Sequence, residues 1–144
     1  MTVEHPFNKI VEGIGVSDIR QFDAEVSSIP GIIKLTLGEP NFDTPEHIKE
    51  AAIQAIKDNH SHYTPNSGIP ELRQAAAEYY NKKFNFNYTG DQVITTIGAT
   101  EGIAASLQAI LNPGDTVIVP TPVFPLYLPI TLVNQGNFIT VDTS

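Results

Sequence analysis

The sequence predicts an α/β fold with a mainly parallel sheet, and three observations support this prediction. Short runs rich in β-branched residues alternate with longer segments of helical periodicity. Glycine, proline and asparagine mark the junctions between these segments. Strands joined through helices of this length form βαβ units with right-handed crossovers. We therefore expect a βαβαβ part of such a sheet, preceded by a helical segment over residues 1–30.

Length and composition exclude several classes of protein. The chain has 144 residues, a net charge of −8 and no cysteine. The negative charge argues against binding to nucleic acid or to an anionic membrane, and the lack of cysteine excludes disulfides. No apolar run reaches the length of a membrane span, and the N-terminus lacks the pattern of a secretory signal. A cytoplasmic protein is the expectation.

The first elements of the chain lead into a glycine loop. Apolar residues at helical spacing predict a short helix from Ser17, its candidate cap, to Val26. The apolar run over 32–37 predicts a strand, which ends at Gly38 in a loop with turn residues. The amide beside Gly38 either meets a substrate carboxylate or serves only the turn.

Two helices and a loop come next. Thr44, Pro45 and an acidic first turn predict the start of one helix, and Pro70 predicts the start of another. In the loop between them, Tyr63 either reaches a neighbouring site or simply packs. The His-x-His pair at 60–62 has no third ligand nearby, so no metal site is predicted.

The stretch over 92–127 organises the rest of the chain. It reads as a strand over 93–97, the turn Gly98-Ala99-Thr100, a helix, and a strand from residue 116 to 119. Such a turn can bind phosphate, because the first helical amides lack partners and the helix dipole is positive there. The alternative is a glycine needed only for packing. The turn matches neither a P-loop nor a dinucleotide fingerprint.

The region after the second strand carries an aromatic residue and an apolar segment. Phe124 follows the carboxyl end of a strand, where it either stacks on a flat ligand ring or belongs to the core. The segment over 123–134 is apolar nearly all round and is expected to be buried, with a helix that starts late or is kinked because of Pro129. A third strand is predicted over 138–141.

Four phrases taken together resemble a known family. They are LTLGEPNFDTPEHIKEA, HYTPNSGIPELRQAAAEYY, ITTIGATEGI and LNPGDTVIVPTPVFPLY. In this order and spacing they resemble the N-terminal part of class I aminotransferases of the aspartate/aromatic group, which have fold type I and use pyridoxal 5′-phosphate. The resemblance implies an N-terminal segment over 1–30 and the N-terminal part of the cofactor-binding large domain over 31–144. It also implies a homodimer that moves an amino group between an amino acid and a 2-oxo acid.

The resemblance also implies roles for individual residues. Gly38 matches the loop glycine whose amide lies near the substrate carboxylate. Tyr63 matches a tyrosine that reaches across the dimer to the cofactor phosphate of the other subunit. The turn at 98–100 matches the phosphate cup, and Phe124 matches the aromatic residue that stacks on the pyridine ring. The family often has Trp or Tyr in place of Phe124.

The chain departs from the family pattern in length. The resemblance places the Schiff-base lysine after Ser144, together with the residues that hold the ring and the α-carboxylate. No family catalytic position is matched by the lysines of this chain, which are Lys9, Lys34, Lys49, Lys57, Lys82 and Lys83. Since the chemistry needs that lysine, we expect no turnover and no stable cofactor binding from these residues alone.

The resemblance further implies an incomplete sheet. In the family, strand 93–97 lies across the sheet from the strands over 117–120 and 138–141, and later sequence fills the gap. A truncated piece that self-associates or repacks is therefore expected, because it would have open edges and bare apolar faces. Another fold-type-I enzyme, such as a C–S lyase, and a non-catalytic self-associating fragment are the alternatives. The resemblance does not decide which amino acid is the substrate: aromatic amino acids, aspartate and N-acetylated diaminopimelate all agree with it.

Overall fold

The computed structural model describes residues 7–15 and 17–144, and its elements alternate as an α/β chain does. Two strands and a short 3-10 helix over Gly90–Gln92 accompany the α-helices. The elements are α1 (Lys9–Glu12), α2 (Asp18–Val26), α3 (Glu46–Lys57), α4 (Pro70–Phe84), α5 (Gly98–Ile110), β1 (Thr116–Thr121), α6 (Tyr127–Val133) and β2 (Asn137–Asp142).

The sheet consists of β1 and β2, which run parallel in one βαβ unit. Their register pairs Thr116 with Asn137 and continues to the last residue of each strand. Helix α6 connects the two strands and packs against both α5 and β2. It buries Ile130 and Thr131, and the Thr131 hydroxyl donates to the Tyr127 carbonyl at 2.8 Å. The strands predicted over 116–119 and 138–141 are thereby confirmed.

The strands predicted over 32–37 and 93–97 are wrong, because neither segment pairs with a strand in the described part of the chain. A strand exists only when a neighbour takes up its backbone hydrogen bonds. The second segment finds local partners instead: Arg73 Nε donates to the Val93 carbonyl at 2.7 Å, and the Thr95 amide donates to the Ser67 carbonyl at 3.0 Å. Large apolar side chains of both segments remain exposed, with Leu35 and Ile97 each at 92%.

Two predicted helix caps are corrected in detail. Helix α2 begins after Ser17 as predicted, but the Ser17 side chain makes no capping hydrogen bond. Helix α3 begins at Glu46 with Pro45 in the capping position, so the Thr44 cap is wrong. Proline has no side-chain acceptor, and the first amides of α3 therefore lack the expected partner. The helix predicted at Pro70 is confirmed.

Helix α6 has the late start that the prolines predict, at Tyr127. The expected burial of the whole segment over 123–134 is wrong, since Leu128 and Val133 remain 43% and 45% exposed. An apolar face becomes buried only where a second layer covers it. In this structure α5, α1 and β2 cover one side of α6.

The chain divides into two compact units. The first comprises Met1–Gly38 and Ile97–Ser144, and the second comprises Glu39–Thr96. The second unit carries a row of half-exposed aromatic side chains, each within about 6 Å of the next: Tyr79, Tyr80, Phe84, Phe86 and Tyr88. The boundary predicted at residue 30 stays a prediction.

Within residues 7–15 and 17–144, none of the helices combines the length and apolar character that crossing a membrane requires.

Candidate functional site

A cavity of about 270 Å³ lies in the first compact unit and brings together three residues singled out from the sequence. Gly38, Thr100 and Phe124 line it, although they come from three separate segments of the chain. Arg20 of α2 and Thr36, two residues before Gly38, also line it. The cavity therefore combines an amide-bearing loop, a hydroxyl, an aromatic ring and a cation.

The start of α5 has the backbone geometry of a tight strand-to-helix turn. Gly98 has φ +78°, a conformation that side chains with a Cβ rarely adopt, and no atom lies within 4 Å of the place a Cβ would occupy. Ala99 and Thr100 follow in the first helical turn, where amides have no carbonyl one turn earlier in the helix. The carboxylate of Glu101 accepts a hydrogen bond from the Ile97 amide and fastens this turn.

Phe124 is held at the cavity by a neighbouring ring. Its side chain is 50% exposed, and its centroid lies 6.2 Å from that of Tyr127 with the rings at 89°. This edge-to-face contact is a favoured aromatic geometry and restricts the orientation of the ring. The alternative of a buried core phenylalanine is therefore wrong, and the ring is accessible to a ligand.

The loop with Gly38 is attached to α2 by side chains. The Thr36 hydroxyl donates to Asp23, and Lys34 Nζ lies 3.3 Å from Asp23 Oδ1 and 3.1 Å from the Ser27 hydroxyl. The hydrogen bond from Thr36 is the main cause that holds the pKa of Asp23 below its ordinary value. Desolvation opposes it, and the positive charges of Lys34 and Arg20 reinforce it.

Tyr63 belongs to the second compact unit, and its side chain is fully exposed. Its loop is fixed by Ser67, whose carbonyl accepts from the Thr95 amide at 3.0 Å and from the Thr95 hydroxyl at 3.2 Å. A Cβ on Gly68 would lie 1.9 Å from that hydroxyl, so the close approach requires glycine. The loop thus has a fixed base and presents the phenol to solvent.

Sequence reasoning missed Arg20, Thr36 and the carboxylate that joins them. Periodicity places Arg20 and Asp23 on a helix but does not say what the helix faces. The contact partners of Asp23 lie 11 and 13 positions away in sequence. An arginine and an aspartate on one predicted helix, close to a glycine loop, are the signal that was available.

Comparison with known proteins places the chain in a family. The family model described as aminotransferase class I and II matches residues 30–144. The chain belongs to the class I and II aminotransferases. It is 43% identical over 143 residues to the probable N-acetyl-LL-diaminopimelate aminotransferase of Bacillus subtilis, a match covering 99% of this chain and 36% of that protein. It is 46% identical over 111 residues to the aspartate aminotransferase of Pyrococcus horikoshii, covering 77% and 28%.

Solved aminotransferases have the same fold over this region. The aspartate aminotransferase from Thermus thermophilus with maleate superposes with a TM-score of 0.91 at 34% identity, covering 97% of this chain and 38% of that one. The enzyme from Thermotoga maritima gives 0.88 at 32% identity, covering 96% and 38%. The fold is that of the N-terminal part of a fold-type-I aminotransferase, and the chain spans little more than a third of these relatives.

The residues of the cavity fit two parts of pyridoxal phosphate, the cofactor that the aminotransferase family implies. Thr100, in the first turn of α5, is a suitable donor for an anionic group, whereas Gly98 and Ala99 of the same turn are not among the residues that line the cavity. Phe124 offers an accessible ring face. The lining residues, all in the described part of the chain, include Arg20 as a cation and no lysine. These residues can hold the cofactor's phosphate and ring, but they cannot anchor it covalently.

Proposed function

We propose that this chain supplies the phosphate cup and the ring-stacking wall of a pyridoxal-phosphate-dependent aminotransferase. The observation that carries the proposal is the cavity shared by Gly38, Thr100 and Phe124. The resemblance to the aminotransferases implies that these residues serve the substrate, the phosphate and the ring respectively, and a shared cavity is what those roles require. Membership of the aminotransferase family supports the same function.

Each part of the chain has a role in binding and orientation. The amides of Gly98, Ala99 and Thr100 bind the phosphate, Phe124 fixes the plane of the ring, and Gly38 offers its amide to the substrate carboxylate. Bound pyridoxal phosphate supplies the electron sink for amino transfer. We expect no turnover from the 144 residues alone, because the anchoring lysine is not among them.

The proposed enzyme is a cytoplasmic homodimer in which Tyr63 reaches the cofactor phosphate of the second subunit. The support for this role is that Tyr63 stands fully exposed on a loop whose base is fixed. A phenol that bonds within its own subunit would be at least partly covered. The tyrosine hydroxyl can donate to a phosphate oxygen across such an interface.

The proposed substrates are an amino acid and a 2-oxo acid. Relatives of this chain are named for aspartate, for aromatic amino acids and for N-acetyl-LL-diaminopimelate. Arg20, which lines the cavity, favours a substrate that carries a second carboxylate. Aspartate and N-acetyl-LL-diaminopimelate both carry one, so these two donors are the first to assay.

The activity test uses the protein encoded by the complete reading frame that contains these residues. Purified with pyridoxal phosphate, it should show the absorbance of bound cofactor and should form a new amino acid from 2-oxoglutarate and at least one donor of the panel. The absence of both bound cofactor and amino transfer would overturn the proposal. With an S-substituted cysteine as substrate, release of a thiol, pyruvate and ammonia, without amino transfer, would instead indicate a C–S lyase.

Replacing Phe124 tests the ring-stacking role in the same protein. Phe124→Leu should weaken pyridoxal phosphate binding by about two- to twelvefold, because aromatic stacking contributes about 0.5–1.5 kcal/mol beyond the buried area. Phe124→Trp keeps a π-face and should retain the affinity. Cofactor titration followed by absorbance measures both variants. Equal affinities for all three proteins would show that the ring does not stack.

A further inference from the structure

We infer that Asp23 is a positioning residue that holds the loop of Gly38 at the cavity, acting through Thr36 and Lys34. Asp23 lies on α2 and touches neither the proposed cofactor position nor Gly38 itself. Its effect on the reaction is therefore indirect. The inference rests on the proposed aminotransferase function and adds the residue that places the substrate-binding amide.

The contacts around Asp23 join α2 to the segment before Gly38 at two points. The Thr36 hydroxyl donates to one carboxylate oxygen, and Lys34 Nζ lies 3.3 Å and 3.5 Å from the two oxygens. The Asp23 side chain is 18% exposed, whereas that of Lys34 is 40% exposed. Because a sheltered hydrogen bond to a charged group outweighs an exposed ion pair, Thr36 is the main link.

Apart from the contacts with Asp23, the hydrogen bond from Lys34 Nζ to the Ser27 hydroxyl is the remaining polar link of this segment in the described part of the chain. Residues 33–38 form no strand there, and they make no backbone–backbone hydrogen bond with another described residue. The side chains of Ile33 and Leu35 are 86% and 92% exposed, whereas that of Leu37 is 42% exposed, so apolar packing of this segment is largely limited to Leu37. The Thr36–Asp23 hydrogen bond, two residues before Gly38, is the polar contact nearest to the glycine.

The Asp23 carboxylate also interacts with Arg20, the cationic residue that lines the cavity. The positive charges of Lys34 and Arg20 both act on Asp23 and favour its ionised form. The backbone of α2 closes the arrangement, since the Ser27 hydroxyl donates to the Asp23 carbonyl at 2.5 Å and accepts from Lys34. One anion thus holds the glycine loop against the helix that carries Arg20.

The test compares two substitutions of Thr36 in the complete, cofactor-loaded aminotransferase. Thr36→Val keeps the shape and removes the donor, and it should raise the KM for the amino donor about tenfold, as expected for one hydrogen bond to a charged group. The kcat should change by less than about twofold, because the lost interaction serves substrate binding. Thr36→Ser restores the hydroxyl and should restore the KM.

Two further variants separate positioning from a general loss of structure. Asp23→Asn keeps an acceptor for the Thr36 hydroxyl but removes the charge, so it should raise the KM by less than Thr36→Val, with an unchanged ratio of bound pyridoxal phosphate to protein. Glu25→Gln makes the same charge change at an exposed position of α2 and should leave the KM unchanged. A KM that stays at the wild-type value in Thr36→Val and Asp23→Asn would overturn the inference. So would a loss confined to kcat or to cofactor content.

The failure of this inference is distinguishable from the failure of the proposed function. If the wild-type protein neither binds pyridoxal phosphate nor transfers an amino group, the proposed function fails and the inference fails with it. If the wild type is active and the variants match it in KM, only the positioning role of Asp23 fails.

Discussion

Individual residues show what a local pattern reveals and what it conceals. The glycine at position 98 could be assigned to a tight turn because a strand-like run ends there and a helical pattern begins. Its positive φ agrees with that assignment. Arg20 and Thr36 could not be assigned to the cavity, because their neighbours there come from distant segments. Long-range contact is information that a single sequence does not state.

Gly68 is the residue whose substitution should be most costly to the second compact unit. In Gly68→Ala the new Cβ would meet the Thr95 hydroxyl, and φ +98° is itself unfavourable for alanine. The free energy of unfolding should fall by about 1–3 kcal/mol, which is typical of overpacking. Urea unfolding measures the change. Gly15→Ala is the control, since no atom lies within 4 Å of its added Cβ, and an equal loss there would contradict the prediction.

Arg20 should influence which donors the enzyme accepts. Arg20→Met removes the guanidinium from the cavity and should raise the KM for aspartate about tenfold relative to that for phenylalanine, since a charge-assisted hydrogen bond is lost. The measurement is the ratio of the two KM values in wild type and variant. Arg20→Lys keeps the charge, and its ratio of the two KM values should lie between those of the wild type and Arg20→Met. An unchanged ratio in Arg20→Met would remove Arg20 from substrate selection.

At the scale of elements, the sequence predicts a strand well only where the chain also contains its partner. The two strands of the sheet were predicted within two residues of their observed ends, and each pairs with the other. The segments over 32–37 and 93–97 also contain several β-branched residues but do not form strands. Composition expresses a preference for extended backbone, whereas pairing depends on what lies alongside.

In the segment over 93–97, the backbone carbonyl of Val93 accepts its hydrogen bond from a side chain. Arg73 is 14% exposed and donates to the Val93 carbonyl at 2.7 Å, and it also contacts Asp91, which is 98% exposed. Arg73→Met leaves that carbonyl without its partner and should lower the free energy of unfolding by about 1–3 kcal/mol.

Asp91→Asn is the matched control for Arg73→Met, because Asp91 is the other contact of the Arg73 guanidinium. It removes only the exposed ion pair, so its unfolding curve should coincide with that of the wild type. Urea unfolding of the three proteins side by side makes the comparison. If Asp91→Asn destabilised the protein as much as Arg73→Met, the ion pair rather than the carbonyl contact would carry the stability.

At the scale of the molecule, the exposed apolar surface decides how the 144 residues behave alone. Large apolar side chains are exposed in both compact units, and Ile33, Leu35, Ile56 and Ile97 each exceed 70%. Surfaces of this kind favour association over a dispersed monomer. Sedimentation of the isolated chain should therefore show concentration-dependent oligomers. A single monomeric species over the whole concentration range would contradict this expectation.

The parallel unit of β1, α6 and β2 also has a consequence for the order of folding. Its paired strands are near neighbours in sequence, and the helix that covers them lies between them. Closing such a short loop costs little chain entropy, so this unit needs no distant segment to complete its strand pairing. The segments over 32–37 and 93–97, by contrast, have no sheet partner among the described residues. During synthesis α2 to α5 emerge before this unit, so the wall beside Phe124 would be added after them, with both of its strands supplied by one short stretch of chain.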